Sequence, residues 1–153
     1  MNGDDKSMRY ALIFVGIQAS GKTTFYHERF SGYVHINLDE LHTRNKEEIS
    51  LRQCLDEGLS FVVDNTDPCP DDRSRYIILA RAAGYRIIGY YFSSPIAECI
   101  ARNSRREGKA RISEKGIAAT HKKLVIPSYD EGFDELYYVK MTDDGFEVME
   151  WER

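Results

Sequence analysis

The chain has 153 residues, 42% of them hydrophobic and 30% charged, with a net charge of −4. That length supports one domain, 1–153, with a real core and no second folded unit, and the charge excludes a broadly basic nucleic-acid coat. Cys54, Cys69 and Cys99 form no C-x-x-C pair, no apolar stretch reaches membrane length, and no apolar signal core follows Met1, so a cytoplasmic protein with no disulfide framework and no membrane partner is expected.

Residues 1–8 are expected to be flexible. The first apolar run, Tyr10 to Val15, reads as a buried strand, and it leads directly into Gly16-Ile17-Gln18-Ala19-Ser20-Gly21-Lys22-Thr23. This is the spacing G-x-x-x-x-G-K-[ST] in the context that a phosphate-binding P-loop requires. Glycines let the backbone curl around an anion, so that N–H groups and a helix N-terminus point at phosphates. Gly16, Gln18, Ala19, Ser20, Gly21, Lys22, Thr23 and Thr24 are therefore the expected contacts to a nucleotide such as ATP. Lys22 is expected to reach the outer phosphates and the Thr23 hydroxyl to ligate Mg²⁺.

A helix is predicted from the P-loop to about Phe30, then a strand over Tyr33–Ile36. Asp39 follows closely and has two readings. Its carboxylate suits a general base for an acceptor hydroxyl, and it equally suits a helix N-cap for Glu40 onward. The next helix spans Lys46 to Leu59, with Ile49, Leu51, Cys54 and Leu55 facing inward. A third strand, Ser60–Val63, ends in Asp64, which is placed to hold Mg²⁺ directly or through water.

Pro68-Cys69-Pro70 forms a rigid turn with a loop thiol, and Asp71–Ala83 repeats Tyr76, Leu79, Ala80 and Ala83 at helical spacing before the stop Gly84. After a strand over Arg86–Phe92, Ser94-Pro95 opens a helix in cap-then-proline order. Arg102, Arg105 and Arg106 share one face of it, which an anion would stabilise. They are expected to form a lid over the phosphates, within a basic segment running from Arg102 to Lys123. A last helix runs from near Ser113 to before Pro127. The strand Glu135–Met141 then turns through Asp143-Asp144-Gly145 into Phe146–Trp151, an antiparallel edge strand.

The acidic residues from Tyr129 onward read as a solvated face, and Tyr90-Tyr91-Phe92 and Tyr137-Tyr138 as core or sheet face. His27, His35, His42 and His121 lack metal-ligand spacing and are expected to be surface or hydrogen-bonded residues. The whole pattern is that of an α/β P-loop NTPase, with a mostly parallel sheet of about five strands, helices on both faces and a C-terminal antiparallel edge strand.

Gly16–Thr23, Asn37-Leu38-Asp39, Val63-Asp64-Asn65-Thr66 and Arg102-Asn103-Ser104-Arg105-Arg106 together resemble the kinase module of the polynucleotide 5′-kinase family. That family includes phage-type polynucleotide kinases and the kinase domain of animal DNA end-repair enzymes. The resemblance runs from about residue 9 to 139 and takes in Pro127–Phe133. It implies Lys22 and Thr23 on phosphate and Mg²⁺, Asp39 as general base, Asp64 in the active site, Arg106 on the donor phosphates with Arg102 beside it, and Asn65 and Thr66 shaping their loop. Where phage-type members place an arginine three residues after the base, this chain has His42, with Arg44 nearby, and the stretch from Asp39 to Asp64 is short.

No phosphatase or ligase module accompanies the kinase pattern, so a stand-alone kinase of a smaller acceptor is also expected. The reading is thus an ATP- and Mg²⁺-dependent kinase acting on a hydroxyl, first of all the 5′-OH of a nucleic acid end. Its alternatives are a sugar, nucleoside or antibiotic kinase on the same fold, and a non-catalytic ATP-binding or slow ATPase switch. No feature of the sequence sets an oligomeric state.

Overall fold

The computed structural model describes residues 8–93 and 95–151, so the flexibility expected for residues 1–8 lies, Met8 apart, outside the described residues. In chain order the elements are β1 (Tyr10–Val15), α1 (Lys22–Arg29), β2 (Val34–Ile36), α2 (Leu38–Leu41), α3 (Arg44–Glu57), β3 (Phe61–Asp64), α4 (Pro70–Ala82), β4 (Arg86–Phe92), α5 (Ile96–Ser104), α6 (Glu114–Lys123), β5 (Glu135–Thr142) and β6 (Gly145–Glu150). Short 3-10 turns occupy Gly108–Ala110 and Tyr129–Glu131.

One six-stranded sheet runs in the order β2-β3-β1-β4-β5-β6. The first five strands are parallel, and β6 closes the edge antiparallel to β5 across the Asp143-Asp144 turn, with Thr142 opposite Gly145. The strand β1 sits between β3 and β4 and is buried on both sides, which is why it reads as an unbroken apolar run. A ligand crevice opens beyond the carboxyl end of such a strand, where its neighbours lead the chain in opposite directions.

Each face of the sheet has its own core. Ala11, Ile13, Ile36, Phe61 and Val63 pack against Leu51 and Cys54 of α3 and Tyr76, Ile77 and Ala80 of α4. On the other face Leu12, Phe14 and Val62 meet Phe25 and Tyr26 of α1. Phe14 lies 5.8 Å from Phe25 and 5.1 Å from Phe92, ring to ring, in tilted geometry that favours aromatic pairs. A third cluster, Ile17, Ala19, Cys99 and Ile117, fastens α5 and α6 to the P-loop.

The structure corrects the sequence reading in several places. The helix α3 begins at Arg44 because the Thr43 hydroxyl caps it, accepting from the Lys46 N–H at 3.1 Å. Its inward stripe is Glu47, Leu51 and Cys54, whereas Ile49 is 58% exposed. Ser94 lies outside the described residues, and Pro95 is the N-cap of α5 rather than its first helical residue. Since α5 stops at Ser104, Arg105 is its C-cap and Arg106 lies beyond it, so the three arginines do not share one helical face. The stop has a local cause. The Asn103 side chain bonds the Ile112 backbone through both its amide nitrogen and its oxygen, folding the intervening loop back.

The acidic C-terminal segment is not merely solvated. Asp134 accepts from the Ile87 N–H at 2.8 Å, Glu135 from Arg86 at 2.6 Å, and Glu131 binds Arg73. All three cysteines are free thiols, and Cys69 serves as the N-cap of α4, donating to the Asp72 carboxylate. Among the described residues no helix is long and apolar enough to cross a membrane.

Candidate active site

The loop after β1 curls back on itself through two positions that only glycine can fill. A Cβ on Gly16 would come within 2.9 Å of both the Phe92 Cβ and the Ser20 Oγ. Gly21 has φ 98 and N-caps α1, and a Cβ there would sit 2.6 Å from the Met141 Cε and 2.9 Å from the Phe146 ring. Gly16 N–H donates to the Thr66 carbonyl at 3.1 Å, which joins the P-loop to the segment after β3.

Lys22 is buried and folds over the loop, donating to the Gly16 carbonyl at 2.9 Å, the Ile17 carbonyl at 2.7 Å and the Ser20 hydroxyl at 3.3 Å. Burial lowers its pKa to about 8, against the opposing pull of the Asp64 carboxylate. Thr23 and Thr24 are exposed on the first turn of α1.

Asp64, 2% exposed at the end of β3, is where the elements converge. The Thr23 hydroxyl donates to its Oδ2 at 2.7 Å, and His35 Nε2 lies 2.8 Å from the same oxygen. His35 Nδ1 faces Glu40 Oε1 at 3.1 Å, and the imidazole is stacked on Tyr26 with centroids 4.0 Å apart. Burial works against its charged form, but the hydrogen bonds and charges of Asp64 and Glu40 outweigh that and raise its pKa above the ordinary value.

Sequence reading missed His35 as a site residue. Its partnership with Asp64 follows from register. His35 lies opposite Val62, and Asp64 shares a face with Val62 two residues on, so the contact exists only because β2 pairs with β3. Asp67, at φ 43 and 4% exposed, is a further buried carboxyl near the loop. Burial, then the charge of Glu47, pushes its pKa well above the carboxylate range.

The helix α2 carries Asp39 as its second residue, exposed to solvent. The N-cap is Asn37, whose Oδ1 accepts from the Glu40 N–H at 3.2 Å and whose Nδ2 donates to the Asp64 carbonyl at 2.6 Å. Asp39 is therefore not a helix cap. His42, at φ 72, ends α2, and Arg44 Nη1 is engaged by Glu47 at 3.0 Å and by the Tyr76 hydroxyl at 3.3 Å.

On the opposite side, Arg102 Nε donates to the Ala19 carbonyl at 2.7 Å and Gln18 Nε2 to the Thr120 hydroxyl at 3.0 Å, docking α5 and α6 on the P-loop. Arg106 is exposed, donates to the Ala110 carbonyl at 3.3 Å, and lies close enough to Lys22 for its charge to oppose protonation there. The structure thus brings Lys22, Thr23, Asp64 and Arg102 together around the loop, with Arg106 and α2 on either side.

A hydroxyl and a carboxylate 2.7 Å apart, both hard oxygen donors, suit Mg²⁺, which typically takes few protein ligands and completes its shell with phosphate and water. Thr23 and Asp64 would hold it, supplying charge neutralisation for transferred phosphate.

The family described as AAA domain matches residues 47–125, from α3 through α6 and starting downstream of the P-loop. A protein of Acanthamoeba polyphaga mimivirus, described as a bifunctional polynucleotide phosphatase/kinase, is 30% identical over 141 residues, covering 87% of this chain and 34% of that protein. The bifunctional polynucleotide phosphatase/kinase of Schizosaccharomyces pombe is 26% identical over 129 residues, covering 80% of this chain and 31% of that protein. The chain spans about a third of the length of these relatives. In fold it is similar to a sugar kinase of Janibacter sp. HTCC2649, with a TM-score of 0.62 at 18% identity, covering 87% of this chain and 85% of that one. A gluconokinase of Sinorhizobium meliloti 1021 gives a TM-score of 0.59 at 16% identity, covering 87% and 83%. The architecture is that of P-loop kinases.

Proposed function

The chain belongs to the AAA domain family, and from that premise we propose that it is an ATP- and Mg²⁺-dependent kinase transferring the γ-phosphate to the 5′-OH of a nucleic acid end. One observation carries the reading. The end of β3 bonds both the P-loop, through Thr23 on Asp64, and α2, through Asn37 on the Asp64 carbonyl, so the donor side and the helix of Asp39 share one anchor. Phosphoryl transfer asks chiefly for such positioning and for charge neutralisation. In this reading Lys22 and the loop N–H groups bind the phosphates, Thr23 and Asp64 hold Mg²⁺, and Arg106 faces the donor from the lid side with Arg102 beside it. Asp39 accepts the proton of the attacking hydroxyl.

The relatives named as polynucleotide phosphatase/kinases support a nucleic acid acceptor. The exposed cations Arg105, Arg111, Lys115, Lys122 and Lys123, on and between the helices α5 and α6 that dock on the P-loop, offer it phosphate contacts. A labelled γ-phosphate transfer assay across 5′-OH DNA, 5′-OH RNA, nucleosides and sugars tests the assignment. Transfer to an oligonucleotide is expected, with binding that weakens linearly in log–log form as salt rises. Transfer to sugars or nucleosides alone would install the small-molecule reading, which the short acceptor stretch between Asp39 and Asp64 favours. ATP turnover indifferent to every acceptor would point to a switch module.

Lys22 sets a pH dependence for donor binding. A triphosphate binds the protonated amine better, so with a free-protein pKa of about 8 the affinity for ATP is expected to be level below that value. Above it, affinity should fall by up to about tenfold per pH unit. Equilibrium titrations from pH 7 to 9.5 check this, with Lys22→Met as the control. A slope surviving in that variant would assign the titration to another group.

A further inference from the structure

We infer that Glu47 and Asn65 are positioning residues that hold the helix of Asp39 against the strand end of Asp64. Their kinetic consequence rests on the kinase reading above; their structural consequence does not.

Glu47 lies in the first turn of α3 with its side chain fully buried, on the same stripe as Leu51 and Cys54. Its Oε1 accepts from Arg44 Nη1 at 3.0 Å, Arg75 Nη1 at 3.2 Å and the Tyr76 hydroxyl at 2.9 Å. Its Oε2 accepts from Asn65 Nδ2 at 2.9 Å. Four donors on one carboxylate compensate for its loss of water. They also leave that carboxylate no freedom to turn.

The consequence passes through Asn65. A carboxylate accepts and cannot donate, so the Asn65 amide must present its nitrogen to Glu47. Its oxygen is then committed to the other side, where it accepts from the Leu38 N–H at 3.0 Å. Leu38 is the first residue of α2. A flipped amide would set oxygen against oxygen and N–H against N–H, so Glu47 dictates which group α2 meets.

A helix of only four residues has almost no stability of its own, because nucleation costs more than one turn of hydrogen bonds returns. Its backbone supplies only part of the bonding, the Asn37 carbonyl accepting from the Leu41 N–H at 3.0 Å and from the Glu40 N–H at 3.2 Å, so its first N–H groups still call on side-chain acceptors. Two amides supply them: Asn65 takes Leu38, and Asn37, itself bonded to the Asp64 carbonyl, takes Glu40. Asp39 lies between these two tied positions. Its location relative to Asp64 is thus tied both by Asn37 on the Asp64 carbonyl and by a chain from Glu47 through Asn65 to Leu38, whose hydrogen bonds run to α2, α3 and α4 rather than to Lys22 or Thr23.

The test uses the full chain with Asn65→Ala, Glu47→Gln, the double variant and Tyr76→Phe. Tyr76→Phe removes one donor from Glu47 and the long 3.5 Å contact of Asn65 Nδ2 to the Tyr76 hydroxyl, while leaving the 2.9 Å Glu47–Asn65 bond and the Asn65–Leu38 bond in place. Amide hydrogen exchange over Leu38–Leu41 is expected to accelerate about tenfold or more in Asn65→Ala and in Glu47→Gln, with exchange in β1 unchanged. The double variant should be no faster than the faster single, as for two residues in one chain of contacts, and Tyr76→Phe should match the parent. In transfer assays Asn65→Ala should lower kcat by about tenfold or more, with KM for ATP and the equilibrium affinity for ATP·Mg²⁺ within about twofold.

Parental exchange over Leu38–Leu41 in Asn65→Ala, or additive effects in the double variant, would overturn the inference. So would equal losses of donor affinity and kcat, which mark a general structural defect. Should the parent protein transfer phosphate to no acceptor, the kinase reading falls, and the exchange measurements alone decide the positioning role. Asn65→Ala keeps the two arginine pairs of Glu47 intact, so the test survives a Glu47→Gln variant that does not fold.

Discussion

Replacing Asp39 by Ala is expected to lower phosphoryl transfer by roughly 10²–10⁴-fold while leaving the affinity for ATP·Mg²⁺ within about twofold. The loss corresponds to about 3–5 kcal/mol of transition-state stabilisation. Competing explanations of such a loss are weak at this position. Asp39 does not cap its helix, since Asn37 does, so its removal strips no backbone partner from α2. A carboxylate in a first helical turn also interacts favourably with the helix dipole, but that effect is typically about 0.3–1 kcal/mol and screened by salt. Asp39→Asn, nearly isosteric and unable to take the proton, should lose as much as Asp39→Ala. The neighbouring Glu40 is the informative comparison, because its carboxylate reaches His35 Nδ1 at 3.1 Å and is linked through the imidazole to Asp64. Glu40→Gln should cost far less than Asp39→Ala. Full transfer in Asp39→Ala together with a large loss in Glu40→Gln would move the base to Glu40.

What could be read from sequence was what the chain encodes locally. The P-loop needs a buried strand, two constrained glycines and a helix start within a few residues, and all of these are contiguous. The end of β3 announced Asp64 in the same way. What could not be read depended on which segments become neighbours. His35 meets Asp64 because β2 pairs with β3, and strand order is not written in chain order. Ile49, expected inward, is exposed, and the inward stripe instead takes in Glu47, whose burial depends on four donors, three of them brought from other segments. Arg106 left the helical face because Asn103 turns the chain back at Ile112. The helix of Asp39, one turn long and held by side chains from elsewhere, is too short to leave a periodic trace.

Arg73→Ala is expected to destabilise the fold by about 3–5 kcal/mol, a large share of the stability of a domain this size. Arg73 is fully buried in α4, in a segment where sequence showed only a charged position on a helix. Its guanidinium grips Glu131 with two bonds, Nε to Oε1 at 2.8 Å and Nη2 to Oε2 at 3.0 Å. Its Nη1 donates to the carbonyls of Asp67 at 3.0 Å and Val125 at 3.1 Å. One side chain thus joins α4, the segment after β3, the segment after α6 and the turn at Tyr129–Glu131. The joint is reinforced by Val125 N–H donating to the Pro68 carbonyl at 2.7 Å. Truncation would leave the largely buried Glu131 carboxylate without its cation, with only the Ser128 N–H on Oε2, and two carbonyls without donors, which costs more than the bonds themselves contributed. Urea unfolding measures the loss through the midpoint at constant slope. Two further expectations separate this mechanism from simple cavity formation. Arg73→Met, which fills much of the space, should lose nearly as much as Arg73→Ala. Adding Glu131→Leu to Arg73→Met should recover part of the loss by removing the stranded carboxylate, although the two carbonyls remain unpaired and the Ser128 N–H exchanges its acceptor for water. A loss below about 1 kcal/mol in Arg73→Ala, or full recovery in Arg73→Met, would reduce the clasp to packing.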